Sequence, residues 1–458
     1  MKWTRWIYRV FVARSDRRVM SSRAARPAEV IFLAVLALVV RGGVLLAMRD
    51  SLVADPDAYF RLAGNLVAHG TLGQGDVPSA YRPPLYPLLL APAAACGAGA
   101  RAVIAGLHLA LGVATVLLTY RLGRCWGLGN WAALAAALVA CAPILLAQST
   151  LVMTETLATL LAVTSLLALS AAAEKPASGP PAAAGASIAL ASLCRPTFLV
   201  FLAASALVLP AMADRWSDRW KAFLAFVAAA ALVLSPWVVR NQIHFGRPIA
   251  GTTHGGYTLL LGNNPWFYGY LRDGAWGTVW DAEAFKADWS ACLARGDARS
   301  ELANDRLAYA EARKAIRHEP GMFFYACVVR VRWLWAPLPH QVDAEESLFR
   351  RWLRYAAGGW YVLEFALAAV GLAAVLRSQR LTAAGEDEID LMARAETGSD
   401  WQRTWLWGLL LILSFTAVHA FYWTNMRMRA PLEPAVALAA AGGVAWIAAR
   451  VARRKQLP

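Results

Sequence analysis

Two carboxylates and one guanidinium lie close together beside a long apolar stretch. Asp55 and Asp57 belong to Asp55-Pro56-Asp57-Ala58-Tyr59, and Arg82 to Tyr81-Arg82-Pro83-Pro84-Leu85. A carboxylate can take the proton of an attacking hydroxyl as general base. An arginine can hold a phosphate through two parallel charge-assisted hydrogen bonds. Ionisable groups at such a place are costly unless they have a use. The same side chains also suit structural roles. Asp55 fits a helix N-cap, Pro56 the first helical position, and Asp57 the positive end of a helix dipole. Arg82 fits an anchor at a membrane surface, on an arm that its prolines keep extended.

The elements that must position these groups are set by composition. The chain has 458 residues, 59% hydrophobic and only 16% charged, where a soluble protein carries about 25% charged residues. Its apolar residues come in runs near the ~20 residues that span a bilayer as a helix. The pattern predicts an all-α polytopic membrane protein with about ten spans, at 29–48, 102–122, 130–147, 154–172, 182–193, 197–212, 222–238, 356–376, 404–422 and 431–449. The fifth is short and is expected to pair with the sixth across Cys194-Arg195-Pro196.

The net charge of +15 is not a nucleic-acid signature. Eight of the Lys and Arg residues fall in the first 26 positions, and Arg450, Arg453, Arg454 and Lys455 follow the last apolar run. That distribution fits the positive-inside rule. It places a basic tail (1–28) and the C-terminus in the cytoplasm, the first apolar run being a signal anchor. The expected layout is then a transmembrane module at 29–238 with an outer loop at 49–101, a larger mixed outer segment at 239–355, and C-terminal spans at 356–458. The acidic stretch Glu386-Asp387-Glu388 lies in a cytoplasmic loop, 377–403. Inside the first outer loop, Tyr59, Leu62, Ala63, Leu66 and Val67 fall on one face at helical spacing. They predict an amphipathic helix starting at Asp55. Residues 84–95 read as re-entrant or interfacial, and 321–338 as a helix lying along the membrane surface.

Other chemistry-bearing residues are scattered. Tyr59 and Tyr81 flank the acids and the arginine. Glu155 opens the fourth span on the same side, Arg195 joins two short helices, and Arg240 follows Pro236-Trp237 as a second phosphate ligand or a span anchor. Asn263 and Asn264 form a Gly-Asn-Asn-Pro turn. Arg41, inside the first span, suits snorkelling. The six cysteines show no CxxC spacing, the histidines no metal-binding motif, and no nucleotide-type glycine loop occurs. Neither metal nor cofactor is expected.

The stretch "ADPDAYFRLAGNLVAHGTLG…YRPPLYPLLLAP" resembles the first outer loop of membrane glycosyltransferases with the GT-C fold. The similarity is to the bacterial group related to dolichyl-phosphate-mannose protein mannosyltransferases and the lipid A aminoarabinose transferase. "CRPTFLV" (194–200), "SPWVVRNQIHFGRPIAGTTHGGYTLLLGNNP" (235–265) and "RMRAPLEPAVALAA" (427–440) are also similar to that group; over 272–318 the resemblance is weak. The resemblance implies a sugar arriving on a polyprenyl phosphate and passing, with inversion, to an extracytoplasmic lipid, polysaccharide or protein. It implies Asp55 as general base and Arg82 at the donor phosphate. Relatives often carry Glu directly after the catalytic Asp. Here Pro56 stands there and Asp57 follows, so both acids stay open for the role. The competing readings are a transporter or flippase of lipid-linked glycans, or a non-catalytic binder of them. A transporter would favour inverted repeats and polar groups at mid-membrane, and the acids and Arg82 here sit at one surface. The implied location is a bacterial inner membrane, with the site on its outer face and no nucleic-acid partner.

Overall fold

A computed structural model describes residues 26–176, 179–274, 280–295, 300–340, 346–384 and 400–454. Most of the basic tail, the acidic loop at 386–390 and Lys455 lie outside the described residues.

The chain is built almost wholly from helices. α1 (Pro27–Ala47) leads through a 3-10 turn (Arg49–Val53) into the first loop. That loop carries α2 (Tyr59–His69), a two-stranded hairpin of β1 (Gly73–Gln74) and β2 (Val77–Pro78), and α3 (Leu85–Ala95). α4 (Ala100–Cys125), α5 (Trp131–Cys141), α6 (Pro143–Ser149), α7 (Glu155–Glu174), α8 (Pro180–Cys194), α9 (Phe198–Val208) and α10 (Trp216–Phe245) follow. The long connecting segment holds α11 (Gly255–Leu261), α12 (Pro265–Asp273), α13 (Glu283–Arg295), α14 (Glu301–His318) and α15 (Pro320–Leu334). α16 (Leu348–Ala384), α17 (Asp400–Phe421), a 3-10 turn (Met426–Leu432) and α18 (Glu433–Arg454) close the chain.

Each of the ten expected spans falls on helix. Among the described residues, six helical stretches are long and apolar enough to cross a membrane. α5 and α6, bent by 46° at Ala142, make a seventh if taken as one. The bend follows from Pro143, which biases the preceding residue away from helix. α8 and the helix at 198–212 are shorter, at 15 residues each, as is the apolar part of α17. Along α1, Ile31, Phe32, Val35, Leu38 and Val39 are exposed on the molecule's surface, as side chains facing lipid would be. Arg41 does not snorkel. It is 2% exposed, and its Nη2 donates to the Val139 carbonyl at 2.8 Å.

Apolar burial alone gives little drive between helices within lipid, so close packing and small residues carry the association. α16 and α18 show this most directly. A Cβ on Gly371 would stand 2.1 Å from the Ala439 carbonyl oxygen, and one on Gly443 the same distance from that of Leu367. The two backbones touch at reciprocal glycines. Behind the site, α7, α8, α9 and α17 share a core that includes Leu157, Leu166, Phe198, Phe201, Leu411 and Phe415. It runs on into Tyr59 of α2 and Tyr86 of α3.

Two expectations need correction. The first-loop helix starts at Tyr59 rather than Asp55, because Ala58 takes a left-handed conformation (φ 61°) that breaks the helical run. The long segment, expected to be mixed, has only helices and connecting turns and coil among its described residues; the β1–β2 hairpin lies in the first loop instead. α10 continues to Phe245 and α16 begins at Leu348. α15 packs on α17 with Arg330 buried, donating to the Ala420 carbonyl at 2.7 Å and to that of Gly262.

Candidate active site

The first loop sends its two acids to different partners. A tight turn, with the Ala58 N–H on the Asp55 carbonyl at 3.1 Å, precedes α2. Asp55 Oδ2 accepts the Arg61 N–H at 3.0 Å and so satisfies one free donor at the start of α2. Its Oδ1 is buried and makes no hydrogen bond. Asp55 also lines a cavity of about 800 Å³, walled by Leu45, Leu52, Phe60, Ile104, Ala105 and Val152, with Arg49 and Arg101 also lining it. Arg101 is paired with Asp50 at 3.2 Å. The Val152 N–H reaches the Ala54 carbonyl at 3.4 Å, which ties the loop to the turn before α7.

Asp57 faces the arginines. Arg82 Nη2 lies 2.8 Å from its Oδ1, and Arg82 Nε donates to its carbonyl at 3.1 Å. Arg427 Nη2 stands 3.5 Å from Oδ2. The Arg82 guanidinium lies 5.6 Å from the Tyr59 ring and 5.4 Å from that of Tyr81, within cation–π range. Burial raises both phenols, Tyr81 to about 12, so both stay protonated and neutral at ordinary pH.

Arg427 links this pair to a second one. Its Nε lies 3.8 Å from Glu155 Oε1, and Arg195 Nη1 lies 3.0 Å from the same oxygen. Glu155 is 1% exposed. Thioether sulfurs fill the remaining space, with Met428 Sδ at 2.6 Å from Arg195 Nη2 and Met153 Sδ at 3.7 Å from Arg427 Nη1. The result is a chain, Arg82–Asp57–Arg427–Glu155–Arg195, of three cations and two anions. It carries one surplus positive charge. Glu155 Oε2 and Arg427 Nε are buried without a hydrogen bond, so polar capacity in the chain is unspent.

The sequence-derived residues therefore divide. Asp57, Tyr59, Tyr81, Arg82, Glu155 and Arg195 come together, and Asp55 lies two residues from Asp57 on the cavity side. Arg240 does not join them. It donates to the Ser79 carbonyl at 3.0 Å and the Leu72 carbonyl at 2.9 Å while packing on Trp237, and so clasps the hairpin. Asn264 caps α12 through the Phe267 N–H at 2.8 Å. Asn263 donates to the Leu259 and Phe421 carbonyls at 2.8 and 3.0 Å. Both asparagines are buried and spend their polar atoms inside the fold. Arg427 was missed as a site residue, although the Arg-Met-Arg-Ala-Pro run before the last helix was a visible signal. Its neighbour Arg429 turns the other way, to Glu433 at 3.3 Å and the Leu334 carbonyl at 3.1 Å. Among the described residues no group of three or more His, Cys, Asp or Glu could hold a metal ion.

Residues 81–239 match the family model described as dolichyl-phosphate-mannose-protein mannosyltransferase. That stretch holds Arg82, Glu155 and Arg195. No curated protein sequence matches the chain. Among solved structures it is similar to the oligosaccharyltransferase of Archaeoglobus fulgidus in the apo form, at 17% identity and a TM-score of 0.48, over 92% of this chain and 50% of that one. ArnT from Cupriavidus metallidurans bound to undecaprenyl phosphate is similar at 16% identity and a TM-score of 0.41, over 93% of this chain and 79% of that one. The arabinosyltransferase EmbB from Mycobacterium smegmatis is similar at 13% identity and a TM-score of 0.34, over 91% of this chain and 43% of that one. The chain thus spans about half the length of the matched oligosaccharyltransferase.

Proposed function

We propose that this chain is a membrane glycosyltransferase of the GT-C type. It moves a sugar from a polyprenyl phosphate to an acceptor on the outer face of a bacterial inner membrane, with both termini in the cytoplasm. The observation that carries the reading is the chain of Arg82, Arg427 and Arg195 around Asp57 and Glu155, with its surplus positive charge. The family match over 81–239 supports it.

The roles follow from which polar atoms are free. Asp57 has both carboxylate oxygens turned to arginines, so it suits holding Arg82 and Arg427 in place. Asp55 uses one oxygen to cap α2 and keeps the other without a hydrogen bond, and the residue lines the cavity. It therefore suits the general base. The acceptor hydroxyl approaches from the cavity and gives its proton to Asp55 Oδ1. Its oxygen forms the new bond to the anomeric carbon from the face opposite the phosphate, and the anomeric configuration inverts. The bond from that carbon to the phosphate oxygen breaks, its electron pair goes to the phosphate, and Arg82 and Arg427 stabilise the charge that settles there. The phosphate is a good leaving group, so no nucleotide is needed.

The test is a comparison of envelope glycans and glycolipids in cells with the gene, without it, and with only the Asp55→Asn form. Loss of one sugar from one species, restored by the wild-type gene and not by Asp55→Asn, is the expected result. An unchanged set of species in the deletion strain overturns the reading.

A further inference from the structure

We propose that Glu301, at the start of α14 in the long connecting segment, is a positioning residue for the donor phosphate and acts through Arg82; this rests on the donor-site reading above. Glu301 lies 219 residues from Arg82 in sequence, yet it grips the arm that carries it. Its Oε2 accepts the Ser79 hydroxyl at 2.6 Å, and its Oε1 accepts the Ala80 N–H at 2.8 Å. The Thr253 hydroxyl also donates to Oε1.

The rest of the arm is held at every residue. The Thr253 N–H donates to the Ala80 carbonyl at 3.0 Å, and Arg240 takes the Ser79 carbonyl at 3.0 Å. The Tyr81 N–H donates to the Ser79 hydroxyl at 3.0 Å, and the Tyr81 ring lies 4.2 Å from that of His254. Pro83 and Pro84 then fix φ on the far side. Arg82 sits between a clamped tripeptide and two prolines, so its backbone has almost no freedom. The carboxylate is the one anion in this clamp. It satisfies three donors at once, and water would have to replace all three if it were lost.

α14 is itself tightly placed. Ser300 caps it through the Ala303 N–H at 3.2 Å, and the Gly256 N–H of α11 donates to Asp305 Oδ1 at 2.7 Å. The long connecting segment thus reaches the arm that carries Arg82 through one side chain. Precise placement of a guanidinium matters because a bidentate contact loses value steeply with misalignment.

The experiment measures binding of undecaprenyl phosphate to the purified full chain in lipid nanodiscs. The variants are Arg82→Lys, Glu301→Ala, Glu301→Gln, and Arg82→Lys combined with Glu301→Ala. Glu301→Ala is expected to weaken binding about tenfold, the size of one charge-assisted hydrogen bond. Glu301→Gln, which keeps one acceptor oxygen, recovers part of that loss. In the Arg82→Lys background the same Glu301→Ala change costs much less, because a flexible lysine does not depend on the arm. Additive losses, or wild-type binding by Glu301→Ala while Arg82→Lys is impaired, overturn the inference alone. Wild-type binding by Arg82→Lys overturns the donor-phosphate reading and this inference together. Should Glu301→Ala not fold, Thr253→Val removes one partner of the carboxylate and must show the same non-additivity at smaller size.

Discussion

Asp57 holds Arg82 at two points, with a carboxylate oxygen 2.8 Å from Nη2 and its own backbone carbonyl 3.1 Å from Nε. A side chain bound to both the main chain and the carboxylate of one residue has a fixed plane as well as a fixed position. This geometry separates the two acids of the loop by role, one aligning the cation and the other left with a free oxygen.

Replacing Asp55 by Asn is expected to lower sugar transfer by about 10²–10⁴-fold, the range typical of a lost general base. Donor binding should persist, since Asp55 bonds to the backbone of α2 while Asp57 holds Arg82 and Arg427. Replacing Asp57 by Asn should instead weaken binding of undecaprenyl phosphate. If binding survives Asp57→Asn and transfer survives Asp55→Asn, the assignment of the two acids is reversed.

Arg427 is expected to behave like Arg82. Arg427→Ala should weaken undecaprenyl phosphate binding by about tenfold or more, and Arg427→Lys by less. Titration in nanodiscs checks this; undiminished affinity in Arg427→Ala would remove it from the donor site.

The Glu155–Arg195 pair lies in the protein interior. Glu155→Ala leaves Arg195 and Arg427 without their shared anion, and a loss of about 3–5 kcal/mol of stability is expected. Removing the charge as well, in Glu155→Ala with Arg195→Met, should recover part of that loss. Melting temperatures in detergent decide it: a double variant less stable than Glu155→Ala alone contradicts the pairing.

Burial, with Arg82 nearby, pushes His254 down to about 3 from its ordinary 6.5, while Asp57 opposes the shift weakly. Tyr81 and Tyr257 flank its ring. The folded state therefore binds fewer protons than the unfolded state between those pH values, and stability falls as pH drops from about 6.5 toward 3. Melting temperature measured over that window should fall less steeply in His254→Phe. An identical slope in both proteins counts against a neutral, buried His254. No inflection near pH 7 in donor binding is expected from this residue.

Gly443→Val should separate α16 from α18, because even a Cβ there would stand 2.1 Å from the Leu367 carbonyl oxygen. A loss of about 1–3 kcal/mol is expected for such overpacking. Gly43→Ala on α1 is the control, with nothing within 4 Å of the added carbon. Equal melting temperatures for Gly443→Val and wild type would mean that the helix contact is not tight.

The helices and the loop acids were legible because their signals are local. Apolar run length marked the ten helical stretches, and proline marked the extended arm at Arg82. The Arg-Met-Arg-Ala-Pro run marked a stretch around Arg427, but its partner Asp57 lies 370 residues away and the run does not encode that meeting. The surroundings of Arg240 were hidden for a related reason. Its sequence context shows a cation at a span end, while only the fold reveals that carbonyls of Leu72 and Ser79 occupy it. Asn263 and Asn264 looked available in a turn and are spent on backbone groups of neighbouring elements. The start of α2 was placed four residues early because a left-handed alanine is rare and leaves no mark in composition.

Arg195 stands where two fifteen-residue apolar helices meet. Each is about 22 Å long, several Å less than a typical hydrocarbon core of ~30 Å. A bilayer beside such short helices thins or bends to match them. In the glycosyltransferase reading proposed above, the local headgroup plane is then drawn inward, toward Arg195 and Arg427, and a donor phosphate meets them without being lifted from its leaflet. On this view bilayer thickness is itself a variable of the reaction.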